Sequence, residues 1–179
     1  IDSRDAYGKT ALHVAFENGN VEIINTLLKN GSDINITTKN GETYFDVLLD
    51  HSDDGMYVYD LLEFHVIKLK SANLYVSEEN LRSLRVGDEI NDFRDKCEQE
   101  IAMMKSDRIN NQNISFYDIL SKDISSLVIY MRNENILDVL KSGAHKTKYS
   151  IYGEMIENHF VKSMKRKELI EQGIRIFNI

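Results

Sequence analysis

The chain is expected to be all-α: the end of a helical repeat solenoid followed by a helical C-terminal region. Three observations support this. Gly8-Lys9-Thr10 recurs as Gly41-Glu42-Thr43, 33 residues on, and Ile34-Asn35 echoes Ile1-Asp2 at the same offset. A fixed period of about 33 residues marks stacked repeats. Apolar residues after each Gly-x-Thr fall at helical spacing. The 179 residues also include no proline, against an average usage of about 5%.

The first repeat, residues 5–35, reads Asp5-Ala-Tyr7-Gly8-Lys9-Thr10-Ala11-Leu12-His13-Val14-Ala15, then Gly19-Asn20, Ile23-Ile24, Leu27-Leu28 and Gly31-Ser32-Asp33-Ile34-Asn35. Gly8, like Gly41, allows the positive φ of a tight finger turn. Thr10 is placed to cap a short helix, and His13, three residues on, can bond back to it. Leu12 and Ala15 are expected to face the next repeat. Ile23, Ile24, Leu27 and Leu28 give a second helix one apolar face, and Gly31 ends that helix. These residues resemble one complete ankyrin repeat, with Ala11 where the family usually has proline and Ser32 where it usually has alanine.

Because Ile1-Asp2 holds the place that Ile34-Asn35 takes one repeat later, a further repeat is expected upstream. A single repeat cannot bury its own apolar face. The second repeat decays: Thr43-Tyr44-Phe45-Asp46-Val47-Leu48 puts Asp46 in the histidine position and Leu48 in the alanine position. The Gly-Asn turn gives way to His51-Ser52-Asp53-Asp54-Gly55. Divergence of this kind suits a terminal, capping repeat. Residues 1–50 are therefore assigned to ankyrin repeats, one complete and one degenerate.

Residues 51–109 form a helical extension. A helix is expected over Met56–Lys70 and a shorter one from about Ser77 to Arg85, between the linker candidates Ser71-Ala72-Asn73 and Val86-Gly87-Asp88. A charged helix then runs from Glu89 to Ile109. Its apolar residues Ile90, Phe93, Cys97, Ile101 and Met104 make one narrow stripe. We read it as a helix packed on its own domain, in preference to a coiled coil, with Cys97 as a core thiol.

Residues 110–179 complete the chain. Ser115-Phe116-Tyr117-Asp118-Ile119-Leu120 mirrors Thr43–Leu48, and both place an acid three residues after a hydroxyl cap, a capping-box variant. A helix around Ile124–Met131 follows, and Asn133–Gly143 resembles the second helix and glycine stop of a repeat. Residues 110–143 read as degenerate repeat-like helices, with an unrelated hairpin sharing a common cap as the alternative. Ile151–Ile179 is amphipathic, with Tyr152, Met155, Ile156, Phe160 and Met164 on one side and Gly173 as a candidate interruption. Lys162, Lys165, Arg166 and Lys167 cluster in sequence. They are expected to scatter around the helix among Glu154, Glu157, Glu168 and Glu171 as a solvated face.

Composition narrows the function. A net charge of −7 argues against nucleic acid as a primary partner, since phosphate neutralisation needs a basic footprint. The single cysteine excludes an internal disulfide and fits a reducing compartment, so an intracellular setting, cytoplasmic or nuclear, is expected. No run approaches the roughly 18 apolar residues of a membrane span, and no membrane partner is expected. His13, His51, His65, His145 and His159 do not share metal-ligand spacing, and Asp53-Asp54-Gly55 near His51 reads as an exposed acidic loop. With no phosphate-binding glycine loop and no nucleophile elbow, the expectation is no enzyme, no cofactor, no metal and no catalytic residue.

Cys97-Glu-Gln-Glu-Ile101-Ala-Met-Met-Lys105, Ile114–Leu120, Arg132-Asn-Glu-Asn135, and Tyr149–Tyr152 through Lys165-Arg166-Lys167 together resemble insect ankyrin proteins of the PRANC type. PRANC names an F-box-like C-terminal module first recognised in poxviral ankyrin proteins. The resemblance implies the target-binding part of an ankyrin adaptor for cullin-type ubiquitin ligation, with a protein as target. The ligase machinery would be reached through a region beyond Ile179, because that module typically opens with Leu-Pro. The alternative is a competitive ankyrin protein that sequesters a signalling protein or transcription factor. In ankyrin stacks the finger tips and the exposed side of the first helix form the gripping surface. The matching positions here are Arg4, Tyr7 and Lys9, then Val14, Glu17 and Asn18, then Lys39, Asn40 and Glu42. Tyr7 is the foremost candidate, as tyrosine is enriched among interface hot spots; packing on the neighbouring finger is its bland alternative.

Overall fold

The computed structural model describes residues 1–49 and 55–177. It divides into two compact units, Ile1–Glu98 and Gln99–Ile179. The fold is all-α: among the described residues every regular element is helical, and one isolated bridge joins Arg108 and Ser115.

In the first unit, α1 (Ala11–Glu17) and α2 (Val21–Lys29) form the expected helix pair. Thr10 starts α1 through a reciprocal capping box. The Thr10 amide donates to His13 Nδ1 at 3.1 Å, and the His13 amide donates to Thr10 Oγ1 at 3.4 Å. Asn20 caps α2 by accepting from the Ile23 amide at 3.1 Å. Beyond α2, the Gly31 amide donates to Leu28 O at 3.0 Å and the Ser32 amide to Leu27 O at 3.1 Å, which satisfies the last carbonyls.

After the first repeat comes α3 (Tyr44–Leu49), which packs on α1 and on α4 (Gly55–Ser71). Tyr44 joins α3 to the first repeat. Its ring lies 4.0 Å from that of His13, and its hydroxyl meets Thr10 Oγ1 and Asp33 O, each at 3.1 Å. Leu12, Phe16, Ile24, Tyr44, Phe45 and Leu48 share one core with Val58, Leu62 and Val66 of α4. Leu48, 33 positions after Ala15, is therefore buried in a core to which α4 contributes. Each large side chain so buried contributes about 1.5–3 kcal/mol.

A short helix, α5 (Glu78–Arg82), is capped by Ser77. It is tied to the repeat by Asn80, whose Nδ2 donates to Ile34 O at 2.8 Å. The long α6 (Asp88–Ser106) carries the chain from the first unit into the second. Its Ile90, Cys97, Ile101 and Met104 are buried, and Phe93 packs on Phe64 at 4.7 Å.

In the second unit, residues 107–115 form a hairpin-like turn, with the Ile109 amide donating to Ile114 O at 2.9 Å. There follow α7 (Phe116–Ser121), α8 (Ile124–Leu127), a 3-10 turn over Tyr130–Arg132, α9 (Glu134–Lys141), α10 (Ala144–Lys148) and α11 (Gly153–Phe177). The Ser115 cap works as its sequence predicts: the Ser115 amide donates to Asp118 Oδ2 at 2.7 Å and the Asp118 amide returns to Ser115 Oγ at 3.1 Å. α11 packs against α7, α8 and α10.

Three expectations need correction. Ile23 is 48% exposed, while Ile24 and Leu28 are buried and Leu27 is half-buried. The core thus covers only the 24/28 side of the broad 23/24/27/28 stripe. The charged helix stops at Ser106, not Ile109, because Arg108 is already extended, at φ −82° and ψ 134°, and forms the bridge to Ser115. Gly173 does not interrupt α11; a helical glycine costs only about 1 kcal/mol relative to alanine, which a long packed helix absorbs. The stretch His51-Ser52-Asp53-Asp54 lies outside the described residues.

Candidate partner-binding surface

Each finger is a tight turn stitched by a side-chain acceptor at its base. In the first, the Asp5 amide donates to Lys9 O at 2.9 Å, and Asp5 Oδ1 accepts from the amides of Tyr7 at 2.8 Å and Lys9 at 2.9 Å. The Lys9 amide is the largest influence holding the Asp5 carboxyl below its usual range. In the second finger, Thr38 occupies the position of Asp5, 33 residues on. Its Oγ1 accepts from the Asn40 and Glu42 amides at 3.3 and 3.2 Å and donates to Glu42 Oε2 at 2.7 Å.

The fingers are joined by backbone. The Lys39 amide donates to Tyr7 O at 2.9 Å, and Arg4 bridges them by donating to Gly8 O at 3.1 Å and to Thr37 O. Gly8 is required twice over. Its φ is +81°, and an added Cβ would lie 2.8 Å from the Lys39 nitrogen, whereas Gly41, at φ +83°, faces open space.

Between the fingers lies a groove of about 400 Å³ lined by Tyr7, Lys9, Thr38, Lys39, Asn40 and Glu42. The structure therefore brings together five of the nine sequence-selected residues. Tyr7 meets the neighbouring finger through its carbonyl while its side chain is 73% exposed. Lys9 forms an ion pair with Glu17 of α1, fixing one wall. Val14 is exposed on α1, and Asn18 is also exposed but turns its Nδ2 back to Val14 O at 2.7 Å. Arg4 is engaged with the backbone carbonyls. Sequence reasoning passed over Thr38, although the 33-residue offset from Asp5 was the signal for it.

Beneath this surface, His13 is wholly buried, and burial holds its pKa down to about 4. It is neutral, with Nδ1 accepting from the Thr10 amide and Nε2 carrying the proton. Burial likewise pushes the Tyr44 hydroxyl up to about 12. Both rings act as rigid polar struts for the fingers. Two buried carboxylates elsewhere also escaped the sequence reading. Glu63 of α4, fully buried, accepts from the Arg85 amide at 2.6 Å and Nε at 3.0 Å. Glu100 of α6 accepts from the Ile151 and Tyr152 amides at 3.0 and 2.8 Å, just ahead of α11. That end of a helix favours negative charge.

Among the described residues, no group of three His, Cys, Asp or Glu side chains is placed to hold a metal ion, and no helix is long and apolar enough to cross a membrane.

Comparison with known proteins agrees with the finger geometry. Residues 7–39 match the ankyrin repeat family model. An ankyrin repeat protein of fowlpox virus (strain NVSL) is 22% identical over 182 aligned positions, covering 98% of this chain and 39% of the relative. An ankyrin repeat domain-containing protein of cowpox virus (strain Brighton Red) is 24% identical over 198 positions, covering 96% of this chain and 29% of the relative. The chain thus spans roughly a third of the length of these relatives. No solved structure matches it significantly. The chain carries an ankyrin repeat, a protein–protein interaction module, and it is similar along nearly all its length to poxviral ankyrin repeat proteins.

Proposed function

We propose that the groove between the two fingers grips a protein target, and that the chain is the target-binding part of an ankyrin adaptor for cullin-type ubiquitin ligation. The single observation that carries target binding is Tyr7: a large amphipathic side chain held 73% exposed on a tip whose backbone is fixed to the next finger. A rigid, exposed aromatic beside an open groove loses little conformational freedom on binding. Lys39 and Asn40 are exposed beside it, and Val14 and Asn18 extend the surface along α1.

In this reading residues 1–50 present the target and residues 51–109 close the stack. Residues 110–179 lead toward ligase machinery docked through a region beyond Ile179. The ligase step rests on the resemblance of residues 97–173 to PRANC-type proteins. The target is exchanged between parent protein and a Tyr7→Ala, Lys39→Glu variant in a capture experiment, using a longer chain that extends past Ile179. Loss of a specific protein with an unchanged melting temperature supports the groove; an identical set of captured proteins overturns it. Co-capture of a cullin scaffold and ubiquitination of the target support the adaptor. A target that is held and never modified identifies a competitive, sequestering protein instead.

A further inference from the structure

The exposed face of α11 carries a feature that the finger surface does not use. Lys162, Lys165 and Arg166 are all exposed, and among the described residues none of the three has an ion pair or hydrogen bond. Leu169, 61% exposed, follows them at seven, four and three positions, so the four side chains share one helical face with the leucine among the cations. Lys167, adjacent in sequence, turns inward instead and donates to Met131 O at 2.9 Å. The basic residues thus sort by face: three form a patch and the fourth braces the core. Glu154 and Glu168 stand at the border of the exposed face, and Glu157 is turned to His145 at 3.0 Å.

Unpaired cations around a half-uncovered leucine, in a chain of net charge −7, constitute a local reversal of sign. The patch spans about 12 Å of helix at 1.5 Å per residue, the length of two turns of a facing helix. Stable binding to anionic lipid calls for a cluster of roughly 4–8 basic residues. The overall negative charge opposes long-range approach to lipid headgroups or nucleic acid alike. An acidic protein segment meets the same long-range repulsion but needs only two or three carboxylates to match the patch, and its apolar residue can meet Leu169.

We propose that Lys162, Lys165 and Arg166 around Leu169 form a second docking surface, which takes a short acidic helical segment of a protein partner whose Asp or Glu side chains flank one leucine or phenylalanine. The charges would steer and orient the segment, and the leucine contact would select for its apolar residue.

The probe is a fluorescein-labelled helical peptide carrying leucine on one face flanked by glutamates, titrated by anisotropy against the whole chain. A leucine-to-alanine version of the peptide, phosphatidylserine vesicles and duplex DNA serve as competitors. Saturable binding that weakens with added salt is expected. Lys162→Glu with Arg166→Glu should weaken it by about tenfold or more, while Lys141→Glu with Lys146→Glu, which changes the net charge equally, leaves it unaltered. Leu169→Ser should weaken the leucine peptide several-fold and leave the alanine version unchanged. Each substituted position is exposed, and matching thermal melts establish that the fold survives. Absence of saturable binding, equal sensitivity to the two charge-reversal pairs, or more effective competition by vesicles or DNA than by unlabelled peptide would overturn the proposal.

Discussion

The ankyrin repeat and the chain that follows it use polar groups in opposite ways. In the repeat, most of the polar contacts that shape the fingers join residues two to four apart, as in Asp5–Tyr7, Asp5–Lys9 and Thr10–His13, or residues about one period apart, as in Arg4–Thr37 and Thr10–Tyr44. Downstream, two buried carboxylates reach across 22 positions, from Glu63 to Arg85, and 52 positions, from Glu100 to Tyr152. The repeat thereby shapes its fingers from local turns and leaves their tips free. The later region uses long-range anchors to close structure that the repeat period no longer organises. Stability should therefore be most sensitive at the anchors and least sensitive at the finger surface.

Arg85 should show the largest effect. Its guanidinium and amide hold Glu63, which has no exposure, while it also pairs with Asp60 and lies 4.5 Å over the Tyr59 ring. These contacts hold its own pKa above the usual arginine value, with the Glu63 hydrogen bond the largest cause. Arg85→Ala removes the opposite charge and leaves the buried carboxylate only the residue-85 amide as donor, so a loss of about 3–5 kcal/mol is expected by denaturant unfolding. A loss below about 1 kcal/mol would show that Glu63 finds water or another partner, and the contrast between anchor and finger would fail.

The finger glycines come next, because they separate two costs that sequence makes look equal. Gly8 and Gly41 have nearly the same positive φ, yet only Gly8 has the backbone of its neighbour against it. Gly41→Ala should cost about 1–2 kcal/mol, the left-handed penalty of an L-residue. Gly8→Ala should cost about 2–4 kcal/mol, because the Cβ must also displace the Lys39 amide. Equal losses in urea melts would mean that the second finger moves aside freely.

Acidity probes the helix caps. His13 fills the third position of its capping box as a buried neutral base, whereas Asp46 and Asp118 serve the same position as acids. Burial holds His13 to about 4, against 6.5 when unfolded. The unfolded chain therefore binds the extra proton between these values. His13's contribution is complete above pH 6.5 and lost as pH falls toward 4. Between about pH 8 and pH 5 this one group should remove about 2 kcal/mol. His65, held to about 3 by burial, adds loss in the same direction. The Asp118 carboxyl acts in the same direction but at lower pH: burial raises it, but the Ser115 amide and hydroxyl outweigh burial and leave it lowered. Its contribution is lost only below the ordinary aspartate value of 3.8. His13→Gln keeps a side-chain acceptor for the cap without titrating there, so its stability should fall less steeply over the same range. A slope matching the parent's would remove His13 from the pH dependence.

The same contrast explains what could be read from sequence. The finger turns, the Thr10 and Ser115 caps and the Cys97 stripe are set by spacings of a few residues, and the 33-residue echo exposes the second finger. The groove was legible for that reason, apart from Thr38, whose threonine stands where the first finger has aspartate. Glu63 and Glu100 looked like ordinary charges on amphipathic helices. Nothing local marks a glutamate whose partner lies 22 or 52 residues away. Ile23 misled for a related reason: helical spacing gives the apolar stripe but not how much of it the neighbouring helices cover.

The smallest effect is expected at the groove wall, where Lys9 pairs with Glu17. Both side chains remain partly exposed, at 29% and 22%, and surface pairs of this kind contribute about 0–1 kcal/mol. Lys9→Ala should leave the melting temperature within a few degrees of the parent and should respond little to Glu17→Ala in the same chain. Its consequence belongs to binding. Removing Lys9 takes a cation from the groove wall and leaves the Glu17 carboxylate without it, so the surface becomes more acidic. A double-mutant cycle on stability should therefore give a coupling near zero, while the same cycle on affinity for a captured target gives a distinct one. Strong coupling in stability with none in affinity would make the pair a structural anchor like Arg85 and Glu63, and the division between a displaying repeat and an anchored remainder would not hold.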